Sequence, residues 1–280
     1  MAHLGDVGGR GPQELMDTFV RDIPSQARWR LRSWLPMAIV VCTLLVWEWS
    51  VRSGWLSPLF FPAPSVVVLT IGRLVGSGEL VVHARATLVR VVLGLVLGGV
   101  PGLLLGLAMG WWRPLREALD PLVAAAHPLP KIAVLPLIMI IFGIGESSKV
   151  VAVAVGTFFP MLINSMAGVR QISPIHFEVA KNYGASPFKV LTRVIVPGSL
   201  PLVLVGARLA LNIALLFTIA IELVSAREGL GEMIWLAWQT LRTEELYASL
   251  AVIGALGVGF NLILQFSARR LVPWHAERED

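Results

Sequence analysis

The sequence predicts an all-α polytopic membrane protein with about six transmembrane helices and one long polar loop between the fourth and the fifth. Hydrophobic residues make up 56% of the 280 residues and charged residues only 15%, whereas a soluble domain carries about 25% charged residues. The apolar residues also fall into separate runs, each close to the ~20 residues that a helix needs to cross a bilayer. The bilayer is therefore the expected solvent.

Composition disfavours several other classes. The net charge is +5 and the pI about 10, but the cations are scattered among apolar runs, unlike the basic patch of a nucleic-acid-binding domain. The single cysteine, Cys42, lies within an apolar run, which excludes an intrachain disulfide and disfavours a metal site. No P-loop of the GxxxxGK[ST] type occurs, and the five histidines are widely spaced. We expect no catalytic residues and no metal site on this chain.

Residues 1–33 are predicted to form a basic cytoplasmic tail, and residues 275–280 a short C-terminal cytoplasmic tail. The Gly-rich start favours disorder, and residues 14–34 fit either an amphipathic interfacial helix or an unstructured segment. The first 33 residues carry no apolar core of a signal peptide.

Residues 34–274 are predicted to form the transmembrane domain. Its six spans are Leu35–Val51, Ala86–Trp111, Leu119–Phe142, Val150–Val169, Leu200–Val224 and Tyr247–Ser267. Between the first two spans, residues 60–80 are only half apolar. They fit a helix on the outer surface with Ser65 as its cap.

The distribution of cations predicts the orientation. With the N-terminus inside, 14 of the 23 Lys and Arg residues fall on inner segments and six on outer ones. Three lie within spans: Arg90, Lys131 and Arg208. The positive-inside rule then places both termini and the polar loop of residues 171–200 in the cytoplasm.

Two spans carry sequence features with alternative interpretations. In the second span, glycine recurs at every fourth position from Gly94 to Gly110. Such a groove fits close packing against another helix of the same chain or, less well, a dimer contact. The third span contains His127, Pro128, Pro130 and Lys131, which predict a broken helix. Lys131 then either faces the transport pathway or belongs to a structural kink.

The fifth span carries Arg208, Asn212, Thr218 and Glu222, which at ~100° per residue fall near one face of a helix. One interpretation is a pathway lining in which Arg208 offers charge to an anion. The alternative is that Arg208 snorkels to the membrane interface and that Glu222 is merely interfacial.

The polar loop itself predicts two short helices. Ser173 and Ser186 are expected to cap helices that begin at Pro174 and Pro187. Gly184 lies where the first helix should stop, and Pro197 and Pro201 should close the second. A helix–turn–helix between two spans is suited to contact a cytoplasmic partner.

This loop resembles the coupling segment of ABC importer permeases. Glu178, Ala180 and Gly184, followed by Val194–Pro197, are similar to the pattern E-A-A-x-x-x-G…I-x-L-P, with three apolar replacements at Val179, Val194 and Val196. Over residues 34–274 the chain resembles permeases that import nitrate, sulfonates, taurine or bicarbonate, and alkanesulfonate permeases look most similar. The further matching stretches are residues 61–65, 76–80, 135–149, 158–169, 183–186 and 229–231.

The resemblance implies a type I ABC importer permease fold in a bacterial inner membrane. It implies a homodimer, or less often a heterodimer, with two ATPase subunits and a soluble binding protein. ATP and Mg would be bound and hydrolysed by the partner subunits and not by this chain. The residues implied in ATPase coupling are Glu178, Ala180, Gly184, Ala185, Ser186 and Pro197. A different small organic solute or vitamin precursor, a six-span channel and a membrane-embedded enzyme are the alternatives, and co-purification with an ATPase separates the last two from an importer.

Overall fold

The computed structural model describes residues 25–225 and 227–272, and all regular structure in them is helical. The predicted all-α class is confirmed. The predicted disorder at the N-terminus, most of the predicted interfacial helix and the C-terminal tail lie outside the described residues. Helix α1 (Ser25–Arg52) begins within the stretch that the sequence assigned to the tail.

The chain divides into two compact units, Met1–Ser65 and Val66–Asp280. In the first, α1 is apolar enough from Trp34 to Arg52 to cross a membrane. Near its end, the Glu48 carboxylate accepts hydrogen bonds from Arg52 Nε at 2.5 Å and from the backbone N–H of Ser65 at 3.0 Å. The prediction that Ser65 caps a helix is wrong, because Ser65 is the second residue of the helix and lies two positions past its N-cap. Helix α2 (Pro64–Gly76) begins before it, and Glu48 takes the free N–H instead.

Three long helices form the centre of the second unit: α3 (Glu79–Trp111), α6 (Glu146–Arg170) and α9 (Val196–Ser225). Helices α3 and α6 run parallel, because Gly94 lies beside Val153 and Gly110 beside Val169. Helix α9 runs antiparallel to α6. Buried Val91, Val153, Leu211 and Ala214 join the three helices in one apolar cluster.

The other helices surround this centre. They are α4 (Arg113–Ala126), α5 (Leu135–Phe142), α7 (Pro174–Asn182), α8 (Pro187–Val190), α10 (Leu230–Gln239) and α11 (Thr243–Leu271). Within the described residues, five helices are long and apolar enough to cross a membrane, and one bent pair makes a sixth candidate. The predicted number of about six spans is confirmed.

The bent pair is the third predicted span. Helix α4 ends at Ala126, and a 3₁₀ turn (Lys131–Val134) leads into α5 after a bend of 86°. The break falls at residues 127–130, where Pro128 and Pro130 remove backbone donors. The predicted broken helix is confirmed.

The glycines of the second span lie against α6 of the same chain. A Cβ atom at Gly98, Gly102 or Gly106 would overlap a backbone carbonyl oxygen of α6, and one at Gly110 would lie 2.6 Å from Val169 Cβ. The two helices therefore touch backbone to backbone. Of the two interpretations of this groove, the structure supports packing within the chain.

Candidate coupling segment and the charged cluster at the opposite end

Helices α7 and α8 are the two short helices predicted within residues 171–200, which we call the coupling segment. Ser173 and Ser186 occupy the predicted N-cap positions. The Ser186 hydroxyl accepts the Lys189 N–H at 3.4 Å, whereas the Ser173 hydroxyl makes no capping bond. Pro174 and Pro187 start the helices without a backbone donor, as first helical positions allow.

Helix α7 ends in a Schellman turn at Gly184. The Ala185 N–H donates to the Ala180 carbonyl at 2.9 Å, and the Gly184 N–H donates to the Lys181 carbonyl at 3.0 Å. Gly184 has φ +64, the left-handed conformation that this motif requires and that glycine adopts without strain. The predicted helix stop at Gly184 is confirmed, and it reverses the chain between α7 and α8.

The coupling segment presents apolar side chains to its surroundings. Tyr183 is 87% exposed and Phe188 is 73% exposed, and Ile175 and Val179 are also exposed on successive turns of α7. Glu178 lies beside them and is exposed as well. Exposed apolar side chains rimmed by charges mark interaction surfaces. The coupling segment is therefore a candidate interaction surface.

The prediction that Pro197 and Pro201 close the second helix is wrong. Residues 187–225 form one 39-residue helical stretch that contains both prolines. A π-helical turn at Leu191–Ile195 joins α8 to α9 immediately before Pro197. A π-turn offers wider hydrogen-bond spacing, so a residue without an N–H fits next to it. Pro197 follows this turn within the continuous helical stretch and does not end it.

Both ends of the coupling segment are fixed to the long helices. A Cβ atom at Gly168 of α6 would lie 2.8 Å from the Ser199 carbonyl oxygen of α9. A Cβ atom at Gly198 would lie 2.8 Å from Ile172 Cδ1. Helices α6 and α9 therefore touch at the base of the coupling segment.

A charged cluster occupies the opposite end of α6 and α9. Arg90 of α3 is 3% exposed. Its Nε and Nη2 donate to the two carboxylate oxygens of Glu146 at 2.6 and 2.8 Å, and its Nη1 donates to Glu222 Oε1 at 2.6 Å. Lys149 Nζ donates to Glu146 at 2.7 Å. Two cations and two carboxylates are thus paired within the chain.

Glu222 also fixes the start of α10. It is 1% exposed, and its Oε2 accepts the Gly231 N–H at 2.9 Å. Thr87 donates to the same oxygen at 2.9 Å and accepts the Leu230 N–H at 2.9 Å. A carboxylate at a helix N-terminus satisfies free N–H groups and complements the helix dipole. Gly229 has φ +136, and a Cβ atom there would overlap Glu222 Cδ. No side chain at position 229 therefore fits beside the Glu222 carboxylate.

The four polar residues predicted on one face of the fifth span differ in burial. Arg208 and Asn212 are exposed, but Thr218 and Glu222 of the same helix are buried. Glu222 bonds to Thr87 and Arg90 of α3 and to the N–H of Gly231 in α10. Glu222 is therefore paired within the chain, and only the half of the stripe with Arg208 and Asn212 is open.

Lys131 lies at the break of the third span. Its Nζ donates to the carbonyl oxygen of His127 and lies 5.0 Å from the centroid of the Phe159 ring. The His127 ring lies 5.8 Å from the same ring. Half-buried Lys131 thus stabilises the bend through a carbonyl and a cation–π contact.

The sequence alone did not indicate the charged cluster. Arg90 was expected within a span, and no role was predicted for Glu146. One signal was present, because intramembrane charges of opposite sign pair with each other. Arg90 and Glu222 lie at similar depth in the predicted topology.

The family model described as "Binding-protein-dependent transport system inner membrane component" matches residues 102–276, and the chain belongs to this family. The chain is therefore the membrane-spanning subunit of an ABC importer. It is a transport subunit, and a separate subunit hydrolyses ATP.

Individual relatives are similar in sequence to this chain over most of its length. The taurine transport system permease protein TauC of Escherichia coli K12 is 37% identical, over 89% of this chain and 94% of its own length. The putative aliphatic sulfonates transport permease protein SsuC of Bacillus subtilis 168 is 32% identical, over 93% of this chain and 94% of its own length. A solved MetNI methionine ABC transporter in an inward-facing conformation shares the fold. It has a TM-score of 0.51 and 22% identity, and covers 68% of this chain and 90% of its own.

Proposed function

We propose that this permease carries a small organosulfonate, such as taurine or an aliphatic sulfonate, into the bacterial cytoplasm. The similarity to TauC and SsuC over about nine-tenths of the chain supports this substrate class. Two copies of the chain would form the pathway, a soluble binding protein would deliver the solute, and two ATPase subunits would bind ATP and Mg.

The coupling segment is the proposed docking site of the ATPase. Its exposed apolar side chains and Glu178 supply the contact surface, and the turn of Ala180, Gly184, Ala185 and Ser186 shapes it. Since α6 and α9 meet at the base of this segment, an ATPase that moves it biases both spans together. Coupling requires such an element, which two sites influence at once.

Substitution of Gly184 tests this docking. Gly184→Asp adds strain on the order of 1 kcal/mol at a left-handed position and places a side chain on the docking surface. No atom of this chain lies within 4 Å of the new Cβ, so we expect normal membrane insertion with loss of bound ATPase and of uptake. Uptake and co-purified ATPase are measured in membranes that contain all subunits.

Gly143→Asp is the matched control. Gly143 has φ +80, and its Cβ would also meet nothing within 4 Å, but it lies between α5 and α6, away from the coupling segment. The control should retain its ATPase. Normal transport by Gly184→Asp would contradict docking at this segment.

We further propose that the coupling segment lies in the cytoplasm with both termini, and that the charged cluster lies at the outer face. The 14-to-6 division of cations supports this orientation. Single cysteines at exposed positions 184 and 228, in a Cys42→Ala background, test it with an impermeant thiol reagent. Labelling of Glu228→Cys only from the cytoplasmic side would contradict the orientation.

For the pathway we propose Lys131 and Asn212 as contacts of the solute, since one lies at a break and the other is exposed on α9. Glu222 is left out because it is buried and paired. Uptake of labelled taurine in proteoliposomes with the cognate binding protein tests the substrate class. Competition by nitrate or bicarbonate, with none by alkanesulfonates, would contradict it.

A further inference from the structure

A cavity of about 530 Å³ lies between α9 and α11, next to the coupling segment. Eight of its lining residues are apolar or glycine, among them Leu202, Val205 and Leu264. Its polar side chains are Gln171, Arg208, Gln265 and Arg269. The cavity is therefore mainly apolar, with two guanidinium groups.

The charge of this cavity is not balanced within the described residues. No acidic residue lines it, and neither Arg208 nor Arg269 forms an ion pair in the part of the chain that the structure describes. The neighbouring Arg270 differs, because its guanidinium stacks on the Phe266 ring at 4.6 Å and does not line the cavity. Two exposed arginines beside an apolar surface suit an anion that also has an apolar part.

We propose that this cavity binds one anionic phospholipid, with its phosphate between Arg208 and Arg269 and an acyl chain along the apolar side chains of α9 and α11. Arginine pairs with phosphate through charge-assisted hydrogen bonds. Basic pockets between transmembrane helices bind lipid headgroups in this manner. A free phosphate or a short sulfonate would satisfy the guanidinium groups but leave most of the lining in water. Gln171 and Gln265 are placed to contact the headgroup.

The bound lipid would connect α11 to the coupling segment. Gln171 and Gly198 belong to the two ends of that segment and both line the cavity. The site would thus lie beside the element through which the ATPase acts, although its binding does not depend on the identity of the transported solute.

Native mass spectrometry of the complete permease–ATPase complex tests this site. The complex is purified from nanodiscs of palmitoyl-oleoyl phosphatidylglycerol or of the matching phosphatidylcholine, and the retained lipid is counted per permease chain. We expect phosphatidylglycerol to be retained at one site per chain. In the Arg208→Gln/Arg269→Gln variant its affinity should fall about thirtyfold, as loss of two cations near a headgroup predicts. Arg270→Gln is the matched control and should retain the lipid.

Several outcomes would overturn the proposal. Equal retention of the two lipids, or no difference between the double variant and Arg270→Gln, would mean that the arginines bind no headgroup. Displacement by millimolar inorganic phosphate or by an alkanesulfonate would assign the cavity to a soluble anion. Retention that appears only after removal of residues 273–280 would assign it to the acidic end of the chain itself.

Discussion

The charged side chains at the two ends of the α6–α9 pair differ in burial and in ion pairing. At one end, Arg90 and Lys149 are buried and paired with Glu146 and Glu222. At the other end, the coupling segment carries cations on exposed positions. None of Arg170, Lys181, Lys189 and Arg193 forms an ion pair among the described residues.

This difference separates an end whose charges are paired within the chain from an end whose charges are unpaired among the described residues. The charged cluster joins α3, α6, α9 and α10 through bonds within the chain. The coupling segment leaves both charge and apolar surface exposed, as the proposed docking requires. Since α6 has 25 residues and is therefore about 37 Å long, the two ends are well separated. Movement imposed at the coupling segment would act on helices that are fixed at their far end.

Removal of Arg90 should have the largest effect on folding. Arg90→Ala leaves Glu222 buried without its cation, and loss of one partner of a buried pair costs about 3–5 kcal/mol. We expect most of the chain to be lost from the membrane fraction or to unfold at much lower temperature. Thermal unfolding of the detergent-solubilised permease, followed by size-exclusion chromatography, measures this.

Arg85→Ala is the control, because Arg85 lies on the same helix but is exposed. The double variant Arg90→Met/Glu222→Met should regain part of the loss, since it leaves no unpaired buried charge at position 222. If Arg90→Ala unfolds like the control, the cluster does not stabilise this end.

The close contact of α3 and α6 should show the next largest effect. A methyl group at Gly98 would overlap the Ala154 carbonyl oxygen, so Gly98→Ala must separate the helices. Overpacking of this kind costs about 1–3 kcal/mol. Gly254→Ala in α11 is the control, because nothing lies within 4 Å of its Cβ. Equal thermal stability of the two variants would contradict the close contact.

The coupling segment and the broken third span could be predicted because their signals are local. Proline at a first helical position, serine before it and glycine at the stop specify α7 and its turn within a dozen residues. Pro128 and Pro130 likewise predicted the break after α4. The family pattern around Glu178 and Gly184 then predicted a coupling role for this local structure.

The charged cluster could not be predicted in the same way, because Arg90 and Glu222 are 132 residues apart in sequence. Their pairing depends on the parallel packing of α3 on α6, which a glycine pattern alone does not assign to one partner helix. The course of the chain through Pro197 was also missed. Local rules end a helix at proline, whereas a π-turn before the proline lets it continue.

The smallest effect on folding is expected at the exposed cations of the coupling segment. Lys181→Gln, Lys189→Gln and Arg193→Gln should each change the free energy of unfolding by no more than about 0.5 kcal/mol, as is usual for surface positions. Lys149→Gln, with the same loss of charge at the opposite end, should cost more because Lys149 is buried and bonded to Glu146.

The same three variants should nevertheless weaken ATPase docking, and the loss should shrink as salt is added. Charges at the rim of an interface act over about 8–10 Å at physiological ionic strength and are screened at higher salt. ATPase affinity of the permease at 50 and 500 mM salt, compared with wild type, measures this. If the variants lower thermal stability as strongly as Lys149→Gln, or leave ATPase affinity unchanged at low salt, the exposed cations of the coupling segment do not contact the ATPase. The two ends would then be stabilised in the same way.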